Sequence, residues 1–230
     1  MLRKGGFMVR NAYNFDCNNA TNFWFVIKDR FEGDGEYNSK MRNQLRRSQR
    51  QFEFRLIDRD YLVAHGYEVF CQAAKSYKVK LSVPTLKEFE ESTRNAVENE
   101  FWGAFDRQSH RLVAYAKNTK FDHSCDYSTL KATPEALRQY VYYGLLHEMN
   151  RYYLQELSLD FVNDGARSIT EHSNMQPFLI EKFHFRRAYC DLQLVYRPLI
   201  AATVKLLYPF RRIVPIRSVR AILNQEAMSR

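Results

Sequence analysis

A chain of 230 residues with 45% apolar and 15% aromatic side chains holds enough material for one substantial core or two small closely packed lobes, which excludes a globally disordered chain. Its 35 Lys plus Arg against 26 Asp plus Glu leave a formal charge of +9, which favours anionic partners such as a CoA-type nucleotide, nucleic acid or an acidic membrane surface without choosing among them. Cys17, Cys71, Cys125 and Cys190 form no CxxC pair and no Cys/His ligand spacing, so neither a zinc site nor a disulfide framework is expected, and a reducing, cytosolic interior is the plain reading.

From the N-terminus, basic residues lead only into mixed sequence around Phe7 to Ala12, without the apolar core of about 7 to 15 residues that a signal peptide needs. Phe23 to Ile27 predicts a strand and Gly33 to Glu36 a turn. Asn38 to Gln51 predicts a helix capped by Asn38 or Ser39, with Arg42, Arg46 and Arg50 on one face. Phe52 to Ile57 alternates as a strand does. Leu62, Val63, Tyr67, Phe70, Cys71 and Ala74 then repeat as a helix over 60–77, and a second helix is expected over 85–99 after the break at Pro84.

Phe101 to Phe105, the polar turn from Asp106 to His110 and Leu112 to Ala116 predict a hairpin, followed by a strand near 125–131. Thr133 and Pro134 pair a capping residue with a helix-starting proline. Leu137, Tyr140, Val141, Gly144, Leu145, Met149 and Tyr152 mark one face of a single long helix reaching about Gln155. Leu159 to Asn163 reads as a short strand and Asp164-Gly165 as a turn. A short amphipathic helix from Asn174 runs into a strand ending near Tyr196. Helices alternating with strands, and no internal repeat, predict an α/β or α+β domain.

The segment from Leu199 to Tyr208 is apolar, but Lys205 and Pro209 interrupt it, and about 20 apolar residues are needed to span a bilayer. Phe210, Ile213, Val214 and Ile216 follow, interleaved with Arg211, Arg212, Arg217 and Arg220. No acidic residue occurs from Leu192 to Gln225. The composition fits an interfacial membrane segment, a grip on RNA or a solvated basic tail.

The order hairpin, strand, long helix, strand, short helix, strand over residues 101 to 196 resembles the core of GCN5-related N-acetyltransferase (GNAT) domains, and more closely the FemAB-type aminoacyltransferases. The likeness is carried by Phe101-Trp-Gly-Ala-Phe105 with Leu112-Val-Ala-Tyr-Ala116, Tyr142-Tyr-Gly-Leu-Leu-His-Glu-Met-Asn150, Phe161-Val-Asn-Asp-Gly-Ala-Arg-Ser-Ile169 and Phe178-Leu-Ile-Glu-Lys-Phe-His-Phe-Arg-Arg187. It implies a mixed, mostly antiparallel sheet flanked by helices. It also implies one GNAT-like domain over 1–198, with 38–100 as its helical first half and 101–196 as its core with the cofactor cleft, and a basic amphipathic extension over 199–230. At the usual pyrophosphate loop, Thr129 to Glu135 contains no glycine, and His184 stands where the closing knuckle usually has glycine.

The activity implied is transfer of an acyl or aminoacyl group, from a thioester such as acyl-CoA or from a charged tRNA, to an amine. On a splayed strand corresponding to Leu112, Val113 and Ala114, a backbone amide would meet the acyl carbonyl. Lys131 and the amides of Glu135, Ala136 and Leu137 would take the pyrophosphate. Glu148, Glu171 and His172 are the candidate bases and Tyr143 the candidate acid; Asp164 would hold the amine, and Arg167 with Ser168 a phosphate or carboxylate. Plainer alternatives stand beside these roles: ion pairs for the glutamates, a local turn at Asp164, packing for the tyrosines and an incidental thiol at Cys125. No metal is expected. A tRNA or an acidic membrane would be met through Arg42, Arg46, Arg50, Arg211 and Arg212, at a cytoplasmic site or the inner face of a membrane. The competing functions are a non-catalytic binding protein of the same fold and a membrane-surface factor acting through the basic C-terminal segment.

Overall fold

The structure is a computed structural model that describes residues 6–76, 83–169 and 174–230. In chain order its main elements are β1 (Met8–Tyr13), β2 (Phe23–Lys28), α1 (Ser39–Gln51), β3 (Phe52–Ile57), α2 (Arg59–Ser76), α3 (Leu86–Arg94), β4 (Asn99–Asp106), β5 (Leu112–Lys120), β6 (Ser124–Ala132), α4 (Pro134–Arg138), α5 (Val141–Asn150), β7 (Phe161–Ala166), α6 (Met175–Phe183), β8 (Arg186–Tyr196), α7 (Pro198–Leu207) and α8 (Arg217–Met228). Two compact units emerge. The central one comprises residues 28–165 and 178–185, the terminal one residues 1–27, 166–177 and 186–230.

In the central unit the strands follow the order β7-β6-β5-β4-β3, with β6 and β7 parallel and the other neighbours antiparallel. Side-chain alternation gives the sheet two faces. Phe101, Phe105 and Tyr115 join Ile57, Leu62, Val69 and Phe89 in the core under α2 and α3. From the same strand β4, Trp102 points the other way and meets Tyr152 and Tyr153. Helix α1 is started by Asn38, whose side chain accepts from the amide of Met41 at 2.9 Å, and it buries Met41, Leu45 and Ser48. It approaches α5 closely: the amide of Gly144 donates to Ser48 Oγ at 3.2 Å, and a Cβ at Gly144 would sit 2.2 Å from the Phe54 ring. Helix α3 opens on a capping box of Thr85 and Glu88 and ends at Arg94, short of the expected Asn99, because Ala96 and Val97 fold back into a turn.

The expected single helix over 134–155 is three pieces. Pro134 and the Thr133 cap start α4, but it lasts five residues, and Tyr140 then adopts a left-handed φ of 66° before α5 begins. After Asn150 the coil widens into a π-helical turn, Arg151–Glu156, closed by the Leu157 amide on the Tyr152 carbonyl at 2.9 Å. A π-turn takes about one extra residue per revolution. The inward face carried by Val141, Leu145 and Met149 therefore continues at Tyr153, which is fully buried, and not at Tyr152 as α-periodicity predicts. Likewise Asp164 and Gly165 are not a turn but part of β7. Gly165 bends it with φ 95°, and the Asn163 side chain accepts from the Gly165 amide at 2.8 Å.

The terminal unit is built on β1-β8-β2, antiparallel throughout, with Met8 opposite Tyr196 and Phe23 opposite Cys190. Phe23, Cys190 and Leu192 pack with Met228 of α8. Strand β1 was not legible in the sequence: four of its six residues are exposed, so it carries no alternation.

Candidate functional site

Within the central unit, a cleft of about 250 Å³ lies where β5 meets the start of α4. It brings together Leu112, Val113, Glu135 and Ala136, four of the residues expected to hold a cofactor. The others lie differently. Ala114 is wholly buried in the middle of the sheet, opposite Ala104 on one side and Ala132 on the other. Lys131 extends toward α2, its ammonium 5.3 Å from the centre of the Phe70 ring. Two of the three helix-start amides are engaged: Ala136 donates to Thr133 Oγ1 at 3.2 Å and Leu137 to the Thr133 carbonyl at 3.0 Å. The capping residue therefore occupies donors that a pyrophosphate would require.

The charged side chains of this cleft already have partners, Glu135 pairing with Arg138 at 3.1 Å. Arg111 grips both carboxylate oxygens of Glu68, at 3.0 and 3.2 Å. Asp106 accepts from the Gln108 and Ser109 amides, the Ser109 hydroxyl and Gln51, and the Ser109 amide above all holds its carboxyl below the usual range. It closes the hairpin turn.

A second arrangement lies along the parallel pair. Pairing runs from Ser124 and Phe161 to Asp126 and Asn163, while β6 continues to Ala132. Asn163 Nδ2 donates to Asp126 Oδ1 at 2.9 Å, fixing the last paired step. Just past it stand Tyr127 on one strand and Asp164 on the other. The Tyr127 hydroxyl donates to Asn150 Oδ1 at 2.9 Å, and burial pushes its pKa well up, with the Asp164 charge adding to the shift, so it stays a phenol. Asn150 Nδ2 is buried without a partner among the described residues.

Below this lies a polar network that the sequence did not announce. The Tyr153 hydroxyl accepts from Trp102 Nε1 and Asn118 Nδ2, both at 3.2 Å, and donates to Glu100 Oε2 at 2.9 Å; Glu100 in turn pairs with Lys120 at 3.2 Å. Neighbouring Cys125 is wholly buried, and burial pushes its thiol up to about 12, which removes it as a nucleophile. A further buried chain centres on His147. Its Nε2 lies 3.4 Å from Asp34 and its Nδ1 3.4 Å from the Tyr37 hydroxyl, while Lys28 and Glu36 pair nearby at 3.1 Å. Burial lowers the pKa of both His147 and Lys28. His147 sits on an apolar helix face, where periodicity alone does not separate a packed histidine from a working one.

Of the expected acid and base residues, Glu148 is ion-paired with Arg151 at 3.0 Å. Tyr143 packs edge-on against Tyr140 and Phe178, and burial raises its pKa. Glu171 and His172 lie outside the described residues. Arg167 and Ser168 belong to the terminal unit. There the Arg167 guanidinium lies 4.2 Å from the centre of the Trp24 ring and donates to the Asn22 carbonyl at 2.6 Å; Arg187 stacks on the same indole at 4.6 Å. Burial, then the Arg187 charge, lowers the Arg167 pKa.

Compared with solved structures, the chain is similar to a C-terminal domain assigned to a lysylphosphatidylglycerol synthetase of Agrobacterium fabrum (TM-score 0.55, 12% identity, 86% of this chain and 64% of that one). It is also similar to FemX (TM-score 0.60, 8% identity, 86% and 68%) and to L-PGS from Bacillus licheniformis (TM-score 0.54, 11% identity, 97% and 68%). The fold is GNAT-like. This chain thus spans about two thirds of the length of these structures, and slightly less for the first. No family model and no curated protein matches it. At such identities the GNAT-like architecture is what is shared, and residue roles rest on the geometry above.

Proposed function

We propose that this chain transfers an acyl or aminoacyl group from an activated donor to an amine. The observation that carries the reading is the parting of β6 and β7 in a GNAT-like sheet. Past Asp126 and Asn163 the β6 edge has no paired strand on that side among the described residues, and half-buried Asp164 is the next residue of β7 as the neutral Tyr127 is the next of β6. In this reading a β6 amide polarises the acyl carbonyl, and Asp164 receives the ammonium and takes its proton. The C–N bond then forms as the donor's ester or thioester bond breaks; the nitrogen's second proton passes to the leaving oxygen or sulfur, and the first leaves Asp164 for solvent.

Engagement of the Ala136 and Leu137 amides by Thr133 argues for a donor held without a pyrophosphate loop. The aminoacyl ester of a charged tRNA, the donor implied by the FemAB-type resemblance, is therefore favoured over acyl-CoA, and such a donor is consistent with a cytoplasmic reaction. Arg46 and Arg50, exposed on α1, offer phosphate contacts; Arg42 is held by the Tyr37 carbonyl at 2.7 Å. The test is incubation of the full chain with labelled aminoacyl-tRNA or acetyl-CoA and a panel of primary amines. Amide product from the charged tRNA is expected, with Asp164→Asn slower by roughly 100-fold or more, the scale of a lost general base. Consumption of neither donor would overturn the activity, and consumption of acetyl-CoA alone would overturn the donor.

A further inference from the structure

In the terminal unit, α7 buries one residue of ten, Val204. Leu199 and Leu206, seven residues apart and hence on the same side of the helix, are 84% and 72% exposed. Past the helix, Phe210, Ile213 and Ile216 are also exposed, Ile213 at 76%. Single exposed apolar side chains need no explanation, but five large ones within 18 residues do. The same stretch supplies Lys205 and Arg212 and the first turn of α8 adds Arg217 and Arg220, all exposed, with Arg211 stacked on Tyr208 at 4.6 Å. No carboxylate occurs between Leu192 and Gln225 to neutralise them.

We infer that this face docks on an anionic lipid bilayer, lying in the plane of the interface. A bilayer boundary supplies both complements at once: headgroup phosphates for the guanidinium groups and the acyl boundary for the leucines and isoleucines. A nucleic acid would leave Leu199, Leu206 and Ile213 uncovered, and a second copy of the chain would set one row of cations against another. At ten residues α7 is about half the length needed to span a bilayer, and no helix among the described residues is long and apolar enough to cross a membrane. The inference stands independently of the proposed acyl transfer.

Co-sedimentation of the full chain with vesicles tests it. Binding is expected to vesicles of equal parts phosphatidylcholine and phosphatidylglycerol, and to be much weaker to phosphatidylcholine alone. Arg212→Ala with Arg217→Ala should reduce partitioning about 25-fold, at roughly fivefold per cation. Leu199→Glu with Leu206→Glu should abolish it while leaving the circular dichroism spectrum and thermal midpoint unchanged, because both side chains already face solvent. Three outcomes would overturn the inference: no binding by the unaltered chain, equal binding by the altered chains, or a leucine variant that instead loses a dimer in sedimentation velocity or a tRNA gel shift.

Discussion

Tyr153→Phe removes one oxygen and nothing else, yet that oxygen satisfies two buried donors. Trp102 and Asn118 are 4% and 0% exposed, so neither Trp102 Nε1 nor Asn118 Nδ2 can turn to water when the hydroxyl is gone. An orphaned buried donor costs about 1–3 kcal/mol, and two of them cost roughly 2–6 kcal/mol. Glu100 adds little, because it keeps Lys120 and its side chain is 25% exposed. With a urea slope of about 2 kcal/mol per molar, the midpoint of the central unit's transition should fall by about 1–3 M. Trp102→Phe supplies the control. In the double variant one orphan disappears with its partner, so the two changes should cost about 1–2 kcal/mol less together than their sum. A loss below about 1 kcal/mol for Tyr153→Phe, or strict additivity, would refute the buried network.

Gly144→Ala places a methyl 2.2–2.3 Å from two Phe54 ring carbons and 2.8 Å from Ser48 Oγ. Overpacking of about 1–3 kcal/mol should outweigh the roughly 1 kcal/mol of helix propensity gained, so the thermal midpoint should fall; a rise would show that α1 and α5 are not in close contact. His147, its folded pKa lowered chiefly by burial, should contribute stability that is fully present above about pH 6.5 and lost as pH falls through the folded value. Urea midpoints measured from pH 7 to pH 5 should show that decline, and His147→Gln should flatten it. Thiol titration at pH 8 should modify half-buried Cys17 and Cys71 in the native protein, and Cys125 and Cys190 only after unfolding. Rapid modification of Cys125 would contradict its burial.

Regular elements with one wet and one dry face were readable from the sequence. The Asn38 cap, the 101–116 hairpin and the helix-to-strand run after Asn174 all announce themselves through period and turn chemistry. Three kinds of feature were not. Tyr140 breaks a helix by adopting a conformation that its side chain does not advertise, and His184 does the same, with φ 56°, at the knuckle where glycine is customary. The donors of Ala136 and Leu137 looked available because a capping threonine and a phosphate-binding helix start share one sequence signal. The Tyr153 network joins the π-turn to Glu100 and Trp102 of β4 and Asn118 of β5, and no local pattern links them.

The π-turn at Arg151–Glu156 also bears on how this chain compares with its structural neighbours. One extra residue per revolution is, in sequence terms, a single insertion without a loop to host it. Against a chain whose helix stays α-helical here, an alignment that carries α-periodicity through would set Tyr152 against the inward residue and run one position out of step until a gap is opened. Spatial superposition does not feel that slip, because it follows the backbone and not the count.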